Sequence, residues 1–497
     1  MASAWRLGDL MGSLFPPGGR DGAPAPGWAA VGPLVIRGVT ADSRRVGPGY
    51  LFAALPGSRA DGTRFIAEAV ARGAVAVLAP EGTDWPPGVP PRPLLTDPAP
   101  RRRLALLAAA LAGAQPERIV AVTGTNGKTS TVEFLRQIWA AGGERAASIG
   151  TLGLHAEGFA PGPGLTTPDP ETLAATLAAL ARAGVARVAM EASSHGLDQC
   201  RLDGIRLAAA GFTNLTRDHL DYHADMAAYG AAKLRLFGEL LPPGSPAFAA
   251  TALAPEMAER LRAIATARRL ALGFVGEGGD AIGLVEVVAR ADGQEITVTA
   301  AGRRRRIDLP LPGRFQVENA LLAAALAESL GVADALSHLP VLRGVRGRME
   351  LAARLENGAC AYVDYAHTPD ALERLLTALR PHARRIAVVF GAGGDRDPGK
   401  RGPMGAVAAR LAERAIVTDD NPRGEDPAKI RAAILAACPG AVEIGDRRAA
   451  IAAGLALLGP GDVLAVAGKG HEQGQTVGGE VIPFDDVAVV RALAGVS

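Results

Sequence analysis

The sequence is poor in the features that mark secreted, membrane-spanning and nucleic-acid-binding proteins. Its three cysteines, Cys200, Cys360 and Cys438, are far apart and odd in number, which indicates reduced thiols in the cytoplasm. The net charge of +2 is too small to indicate a nucleic-acid partner or a membrane surface. Alanine-rich runs such as Leu104–Ala112 are too short to cross a bilayer. The first residues lack a basic head followed by an apolar core, so no signal peptide is expected.

The chain does have ample material for packed cores, since 48% of its 497 residues are hydrophobic and 21% are charged. This length predicts about three domains, which we place at residues 1–100, 101–342 and 343–497. The first has the pattern of a small α/β module. The spacing of its residues is also compatible with a domain that only packs and binds no ligand. In the other two, strand and helix patterns alternate, which predicts parallel sheets covered on both faces. We predict only short strands and turns from about 245 to 312, with the basic run Arg303–Arg306 on a solvated hairpin face.

One stretch of the second domain has the pattern of a phosphate-binding loop. A β-branched apolar run is followed by Gly124–Ser130, and after it apolar residues recur at helical spacing. In such a loop, N–H groups at the helix N-terminus and the charge of Lys128 bind phosphate, and the hydroxyl of Thr129 can hold Mg²⁺. Val122 stands where the usual pattern has its first glycine, so an ordinary strand–turn–helix corner is the alternative.

Polar residues also follow other predicted strands. Glu191 ends a buried strand of the second domain, where a Mg²⁺-related carboxylate is expected. Lys233 lies on a predicted helix, and by that pattern alone it is an ordinary solvated lysine. In the third domain four predicted strands each end in a polar loop; the loops are 364–370, 391–397, 419–423 and 468–472. Because ligands bind at the carboxyl edge of open α/β sheets, we predict a ligand site there.

Together these motifs resemble those of the Mur ligase family, the ATP-dependent amide-forming enzymes of peptidoglycan synthesis, over nearly the whole chain. The stretches that carry the resemblance are Thr123–Ser130, Thr166-Thr167-Pro168, Glu191–His195, Asn214–His223 with Lys233, Gly347–Glu350, Asp364–His367, Gly393–Asp397, Asp420–Arg423 and Gly468–Glu472. The resemblance implies an α/β fold of three domains: an N-terminal UDP-sugar-binding domain, a central P-loop-type parallel-sheet ATPase domain and a C-terminal Rossmann-like amino-acid-binding domain. It also implies a cytoplasmic monomer with small-molecule partners, without nucleic acid or membrane insertion.

The resemblance further implies roles for individual residues. The residues implied for ATP are Gly124, Thr125, Asn126, Gly127, Lys128, Thr129, Ser130, Asn319, Arg348 and Asp364. The implied catalytic residues are Lys128, Glu191, His219 and Lys233, and the implied Mg²⁺ ligands are Thr129, Glu191, His219 and Lys233, the last as a carbamylated lysine. The residues implied for the UDP-N-acetylmuramoyl dipeptide are Ala41, Ser43, Ser58, Arg59, Ala60, Thr166, Thr167, Ser193, Gln199 and Arg201. Those implied for the incoming amino acid are Arg396, Asp420, Asn421, Pro422, Arg423, Gly468 and Glu472.

The stretch Asp420–Arg423 resembles the family signature for meso-diaminopimelate. Diaminopimelate ends in a carboxylate as well as an amine, and Arg423 can clamp that carboxylate while Glu472 takes the ammonium. Lysine has no such carboxylate and would leave the arginine unpaired. The implied reaction is ATP-dependent addition of meso-diaminopimelate to UDP-N-acetylmuramoyl-L-alanyl-D-glutamate through an acyl phosphate, with L-lysine addition as the alternative.

There are three rival hypotheses. A related ligase that adds glutamate to folate is disfavoured by Asp42-Ser43-Arg44 and by Arg423. A nucleotide-regulated binding protein would need the phosphate loop but neither Lys233 nor an amino-acid pocket, and a catalytically inactive relative is disfavoured because every implied catalytic residue is present.

Two positions depart from the family pattern. Gln316 stands where asparagine is usual, and little effect is expected. Leu165 precedes Thr166 where a polar residue is common, so a hydrogen bond to substrate is expected to be missing there. The residues before about Val31 show no interpretable feature.

Overall fold

The computed structural model describes residues 4–15, 27–28, 31–57, 61–160, 162, 165–220, 222–290 and 292–496. The chain divides into two compact units. The first unit contains Met1–Lys128 and Gly142–Leu272, and the second contains Thr129–Ala141 and Gly273–Ser497. The predicted domain boundaries near residues 100 and 342 do not follow this division and stay predictions.

The first unit contains twelve described strands, nearly all in parallel sheets. They are β1 Trp5–Arg6, β2 Val35–Ile36, β3 Gly38–Thr40, β4 Tyr50–Ala53, β5 Ala74–Pro80, β6 Leu94–Asp97, β7 Arg118–Thr123, β8 Ala146–Gly150, β9 Gly153–His155, β10 Arg187–Glu191, β11 Leu207–Phe212 and β12 Pro246–Ala250. β1 and β2 pair antiparallel, and β3 to β6 form a parallel sheet in chain order. The other strands lie in the order β12-β11-β7-β10-β8-β9, and within it β9 runs antiparallel to β8. β7 is therefore central, with β10 and β11 beside it.

The described helices that begin in the first unit are α1 Leu7–Leu14, α2 Ile66–Ala71, α3 Pro100–Ala112, α4 Lys128–Ala141, α5 Pro170–Arg182, α6 Ser194–Asp198, α7 Met226–Arg235 and α8 Pro255–Arg268. The division between the units falls inside α4, after its first residue. α8 corrects the prediction of only short strands and turns between 245 and 312. The helix was missed because its buried residues are few: only Met257, Ala258, Leu261 and Ala265 face the core.

The second unit contains the remaining strands. They are β13 Ala271–Glu277, β14 Ile282–Arg290, β15 Gly293–Ala300, β16 Arg303–Leu309, β17 Glu350–Arg354, β18 Cys360–Asp364, β19 Ile386–Phe390, β20 Arg414–Val417, β21 Val442–Glu443, β22 Val463–Ala467, β23 Gly474–Val477 and β24 Glu480–Pro483. β14, β15 and β16 are antiparallel, and the basic run lies on β16 as predicted. A second sheet has the order β17-β18-β22-β19-β20-β21. All of its pairs are parallel except β17 with β18, so β18, β19, β20 and β22 end at one edge.

The described helices that begin in the second unit are α9 Arg314–Ser329, α10 Pro369–Leu379, α11 Arg401–Leu411, α12 Pro427–Leu435, α13 Arg447–Ala456 and α14 Asp486–Ala494. α10 shows why they form. The Thr368 hydroxyl accepts from Ala371 N, and Pro369 occupies the first turn, where its missing N–H costs nothing. Leucines at 372, 375, 376 and 379 are all buried, and each contributes about 1.5–3 kcal/mol by leaving water. In the described part of the chain, no helix combines the length and apolarity needed to cross a membrane.

Candidate active site

The phosphate loop lies between β7 and α4, in the arrangement that the sequence predicts. Gly124 and Gly127 have φ angles of 144° and 84°, which favour glycine. Lys128 begins α4, and its Nζ donates to Gly124 O at 2.9 Å and to Thr125 O at 2.8 Å. The loop thus joins a lysine to a helix N-terminus, a combination that binds phosphate.

The loop after β11 holds the phosphate loop in place. Asn214 O accepts from Thr125 N at 2.9 Å, and Asn214 Oδ1 accepts from Asn126 N at 3.0 Å. Thr213 Oγ1 donates to Asn126 O at 2.6 Å. A side chain at Gly124 would overlap with Thr213 Oγ1, so the close approach of the two loops requires glycine at this position.

Lys233 is buried against the phosphate loop, and the pattern-based alternative of a solvated lysine is wrong. Lys233 is only 1% exposed to solvent. Its Nζ donates to Gly124 O at 2.8 Å and lies 4.4 Å from the centre of the Tyr229 ring. Burial and the nearby charge of Lys128 lower the pKa of Lys233 to about 6. At neutral pH this amine is therefore largely uncharged, which makes it a nucleophile.

Glu191 is buried at the end of β10 and lies among the threonines predicted to bind the dipeptide. Its Oε1 accepts from Thr151 N at 2.8 Å, and its carbonyl accepts from Thr167 Oγ1 at 2.9 Å. Ser193 N and Oγ both donate to Thr167 Oγ1 at 3.0 Å, and Thr166 and Thr151 share a hydroxyl hydrogen bond of 3.0 Å. Three of the predicted dipeptide residues therefore lie close to a predicted metal ligand.

A cleft of about 610 Å³ in the first unit contains the other described residues predicted for the UDP-dipeptide. Ala41, Ser43, Gln199 and Arg201 line it, and Arg201 donates to Thr167 O at 2.7 Å. This contact links the cleft to the group around Glu191. The predicted residues Ser58, Arg59 and Ala60 lie outside the described residues.

Two acidic side chains that were not predicted site residues, Glu68 and Glu171, also line this cleft. Glu171 Oε1 accepts from Ala41 N and from Thr40 Oγ1, each at 3.2 Å. Glu68 Oε2 accepts from Ser43 Oγ at 2.8 Å. The sequence gives little indication that these two glutamates line a site. A glutamate in the first turn of a helix is common simply because its negative charge interacts favourably with the helix dipole.

His219 lies in a cluster of rings. It has a φ angle of 53°, and its ring centre lies 4.9 Å from that of His195. His195 also lies 4.1 Å from the Tyr222 ring, and Tyr222 OH donates to Asp198 at 2.7 Å. The ring of His195 therefore packs against the loop that carries His219. His195 belongs to one of the stretches that carry the family resemblance, but it was not a predicted site residue.

In the second unit, the residues predicted to meet the nucleotide form two groups. Asp364 Oδ2 accepts from Met349 N at 2.8 Å, which fixes the turn that carries Arg348. Burial raises the pKa of Asp364, while the Arg348 charge acts in the opposite direction. Asn319 lies elsewhere on α9, where its Nδ2 donates to Gln316 Oε1 at 2.9 Å. The departure at Gln316 therefore keeps an amide contact to a predicted ATP residue.

The residues predicted for the incoming amino acid meet where β19, β20 and β22 end. A side chain at Gly393 would lie within 4 Å of Arg423, Asn421 and Arg396, and a side chain at Gly468 would overlap with Asp420. Glycine at both positions lets these loops approach one another. The polar loops at this edge therefore pack closely together, with Pro422 buried among them, and we refer to this loop cluster as the proposed amino-acid pocket.

Arg423 is held in the pocket by its backbone and by its side chain. Its φ angle is 51°. Its N–H donates to Thr476 O at 3.0 Å, and its carbonyl accepts from Gly478 N at 2.7 Å, so the β23–β24 hairpin lies beside it. Its Nη1 donates to Gly394 O at 2.9 Å. The guanidinium is thus directed by the loop that follows β19 and keeps further donors for a carboxylate.

Within the residues that the structure describes, no three His, Cys, Asp or Glu side chains come together as a metal site. Mg²⁺ commonly takes one or two protein carboxylates together with phosphate oxygens of the substrate. The buried carboxylate of Glu191, supported by Thr151, is a ligand of this hard oxygen type. The residues present therefore fit a Mg²⁺ that is bound together with a nucleotide.

Comparison with known proteins gives a consistent result. Three family models match successive segments: "Mur ligase family, catalytic domain" over 35–111, "Mur ligase middle domain" over 122–327, and "Mur ligase, glutamate ligase domain" over 347–470. The chain is similar to a Caulobacter vibrioides protein named UDP-N-acetylmuramoyl-L-alanyl-D-glutamate--2,6-diaminopimelate ligase, with 54% identity over 93% of this chain and 96% of that one. It is 52% identical to a Rhizobium meliloti protein of the same name over 99% of each chain.

A solved structure titled UDP-N-acetylmuramoyl-L-alanyl-D-glutamate--2,6-diaminopimelate ligase is similar as well. It is 33% identical, has a TM-score of 0.71, and the match covers 93% of this chain and 95% of that chain. The predicted α/β fold class is confirmed by these matches together with the parallel sheets of both units. At this identity over nearly its full length, the chain belongs to the Mur ligase family.

Proposed function

We propose that the protein is an ATP-dependent ligase that joins meso-diaminopimelate to UDP-N-acetylmuramoyl-L-alanyl-D-glutamate, giving ADP and phosphate. The observation that carries the proposal is the pocket where β19, β20 and β22 end, because it combines Arg423 with the carboxylate of Glu472. One end of diaminopimelate carries a carboxylate and an ammonium, and these two side chains match both charges. The names of the similar proteins support the same substrate pair.

In the first half-reaction, the D-glutamate carboxylate attacks the γ-phosphorus of ATP, and ADP leaves. Lys128 and the N–H groups at the start of α4 draw charge from the phosphates as the acyl phosphate forms. Glu191, His219, Thr129 and carbamylated Lys233 are the proposed ligands of Mg²⁺, which when bound withdraws charge from the same phosphate oxygens.

Lys233 has the properties that carbamylation requires. The amine must be unprotonated to attack CO₂, and its pKa of about 6 keeps it so near neutral pH. The attack forms an N–C bond and releases one proton, which leaves a carbamate carboxylate in place of the neutral amine. The carbamate is negatively charged, so the nearby positive charge of Lys128, which lowers the pKa of the unmodified amine, would stabilise it.

In the second half-reaction, the amine of diaminopimelate attacks the acyl carbon and phosphate leaves. Arg423 and Glu472 bind the distal carboxylate and ammonium in this proposal, so the amine at the other end is the one that reacts. Holding the amine near the acyl phosphate converts a bimolecular step into an effectively unimolecular one. L-Lysine would leave the Arg423 guanidinium without its carboxylate, which disfavours this substrate.

The test is phosphate release by purified protein with ATP, Mg²⁺, the UDP-dipeptide and either amino acid. We expect turnover with meso-diaminopimelate and at least about a hundredfold lower kcat/KM with L-lysine, because a charge-paired carboxylate is worth several kcal/mol. Turnover with L-lysine but not with meso-diaminopimelate would contradict the proposed substrate. ATP turnover that requires neither amino acid favours a nucleotide-regulated binding protein.

Substitution of Arg423 tests the proposed pocket. Arg423→Ala should raise the KM for meso-diaminopimelate about a hundredfold and leave the KM for ATP within about twofold. The matched control is Arg374→Ala, which removes an arginine that is 54% exposed on α10 and should change neither constant. An equal rise in both KM values for Arg423→Ala would count against its assigned role.

A further inference from the structure

Lys469 is completely buried in the amino-acid pocket and was not among the predicted site residues. It follows β22, and its side chain is 0% exposed. Lysines normally keep their ammonium group in water, and a buried ammonium needs a partner. The position of Lys469 therefore calls for a reason beyond packing.

The partners of Lys469 are two of the residues proposed to bind the incoming amino acid. Its Nζ donates to Asn421 Oδ1 at 3.0 Å and to Glu472 Oε2 at 3.3 Å. Asn421 Nδ2 donates to the same Glu472 oxygen at 2.8 Å. We call Lys469, Asn421 and Glu472 the pocket triad. Its three members are joined pairwise by hydrogen bonds, so that each side chain fixes the other two.

The triad fixes the orientation of the Asn421 amide. Asn421 Oδ1 accepts from Lys469 and also from Thr476 N at 2.9 Å. An NH₂ group in that position would face two donors, so only one orientation of the amide satisfies both contacts. The NH₂ group of Asn421 is thereby turned to Glu472, to which it donates one hydrogen bond.

The triad also leaves the two oxygens of Glu472 in different surroundings. Oε2 accepts from both Lys469 and Asn421, whereas the described residues place no donor on Oε1. The side chain of Glu472 is 32% exposed, so the side chain is partly open to solvent. A carboxylate held in this way presents one oxygen to an ammonium in a defined direction.

We propose that Lys469 is a positioning residue for the incoming amino acid, and this inference rests on the proposed function. Together with Asn421, it holds Glu472 so that Oε1 accepts the ammonium of the bound amino acid. In this proposal Lys469 itself does not contact the ligand, because its side chain is 0% exposed. A lysine that only stabilised the loops would be needed whether or not Glu472 binds the ligand.

A double-mutant cycle in the full-length protein separates these two roles. Lys469→Met and Glu472→Gln should each raise the KM for meso-diaminopimelate about tenfold or more, and leave the KM for ATP within about twofold. In the Glu472→Gln background, Lys469→Met should add less than about twofold, because its effect passes through the carboxylate. The matched control is Lys429→Met on α12, which removes an exposed lysine and should change neither KM.

The proposal is overturned if Lys469→Met raises the KM for the amino acid by the same factor in both backgrounds, or raises the KM for ATP equally. If Lys469→Met does not fold, Lys469→Gln replaces it in the cycle, because it keeps a donor without the charge. A wild-type protein that uses only lysine contradicts the proposed substrate, and the same cycle run with lysine then decides the role of Lys469. If neither amino acid is used, additive changes in the melting temperatures of the four proteins contradict the triad, and coupled changes support it.

Discussion

Lys233 shows how far a single side chain can depart from its usual chemistry. An exposed lysine is protonated up to a pH of about 10.4, whereas Lys233 has a pKa of about 6 because it is buried beside Lys128. The folded state therefore holds fewer protons than the unfolded state between these two values. The free energy of unfolding consequently rises with pH across this window, by up to about 1.4 kcal/mol per pH unit from this group.

Lys233→Met should therefore stabilise the protein near pH 7, and the gain should shrink as the pH rises toward 10. The methionine has no proton to lose, so the variant lacks this contribution to the pH dependence. The measurement is urea unfolding of both proteins in CO₂-free buffer at several pH values between 6.5 and 9.5. Parallel pH profiles for the two proteins would contradict the buried neutral amine.

At the scale of elements, short loops between strands and helices carry most of the candidate site. The phosphate loop has only four residues between β7 and α4, and it approaches the loop after β11 so closely that Gly124 has no room for a side chain. Such loops depend on backbone geometry more than on side-chain chemistry.

Gly124→Ala should destabilise the first unit by about 3 kcal/mol and weaken ADP binding at least about tenfold, because φ is positive and the methyl group overlaps with Thr213 Oγ1. The control is Gly143→Ala, which also has a positive φ angle, 82°, but open space around it. It should cost only about 1–2 kcal/mol and leave ADP affinity unchanged. Denaturant unfolding and ADP titration check both variants, and equal costs would refute the argument from close approach.

A second element-scale contact joins the starts of α13 and α14. Arg447 and Asp486 form an ion pair of 2.7 Å with both side chains 0% exposed, and Arg447 also donates to Ala467 O at 3.0 Å. This network ties β22 to two helices just behind the amino-acid pocket. The removal of one partner leaves the other charge buried and unpaired.

Arg447→Met should accordingly cost about 3–5 kcal/mol of unfolding free energy. Arg410→Met is the surface comparison, because Arg410 and Glu373 form a pair whose side chains are 56% and 45% exposed. That variant should cost at most about 1 kcal/mol. Thermal or denaturant unfolding measures the loss of unfolding free energy in both variants. A loss for Arg447→Met as small as that for Arg410→Met would contradict the importance of the buried pair.

At the scale of the whole molecule, the predicted ligand sites are divided between the two compact units. All described residues predicted for the UDP-dipeptide lie in the first unit, and all those predicted for the amino acid lie in the second. Chains with more than one compact unit often unfold in more than one step. A ligand that binds only one folded unit stabilises that unit.

Calorimetry should therefore show two transitions that respond to different ligands. The core substitution Phe212→Leu should lower the melting temperature of one transition and so identify it as that of the first unit. UDP-N-acetylmuramoyl-L-alanyl-D-glutamate at about 100 times its Kd should raise the free energy of unfolding of this transition by about 2.7 kcal/mol. The same ligand should leave unchanged the melting temperature of the other transition, which Phe390→Leu in the second unit should lower. A single transition that shifts as a whole with either substitution would contradict independent units.

Local patterns in the sequence were enough to predict the family, the phosphate loop and the polar edge of the third domain. These patterns are short: a β-branched run, two glycines and a lysine, or a polar loop after a buried strand, and each reflects the geometry of its own backbone segment. The same local reading missed α8, since a helix with few core contacts has a weak periodic signal. It also missed α1, although Leu7, Leu10 and Leu14 are buried.

The tertiary structure alone decided which side chains are buried together. Lys233 meets Gly124, 109 residues away, and only this contact distinguishes it from a surface lysine. Lys469 meets Asn421 across 48 residues, and Arg447 meets Asp486 across 39. Burial and pairing of charge depend on contacts between distant segments, so no window of the sequence contains them. The sequence by itself determined the chemistry available to this protein, and the packing of its loops decided which of these groups are neutral, paired or open to a ligand.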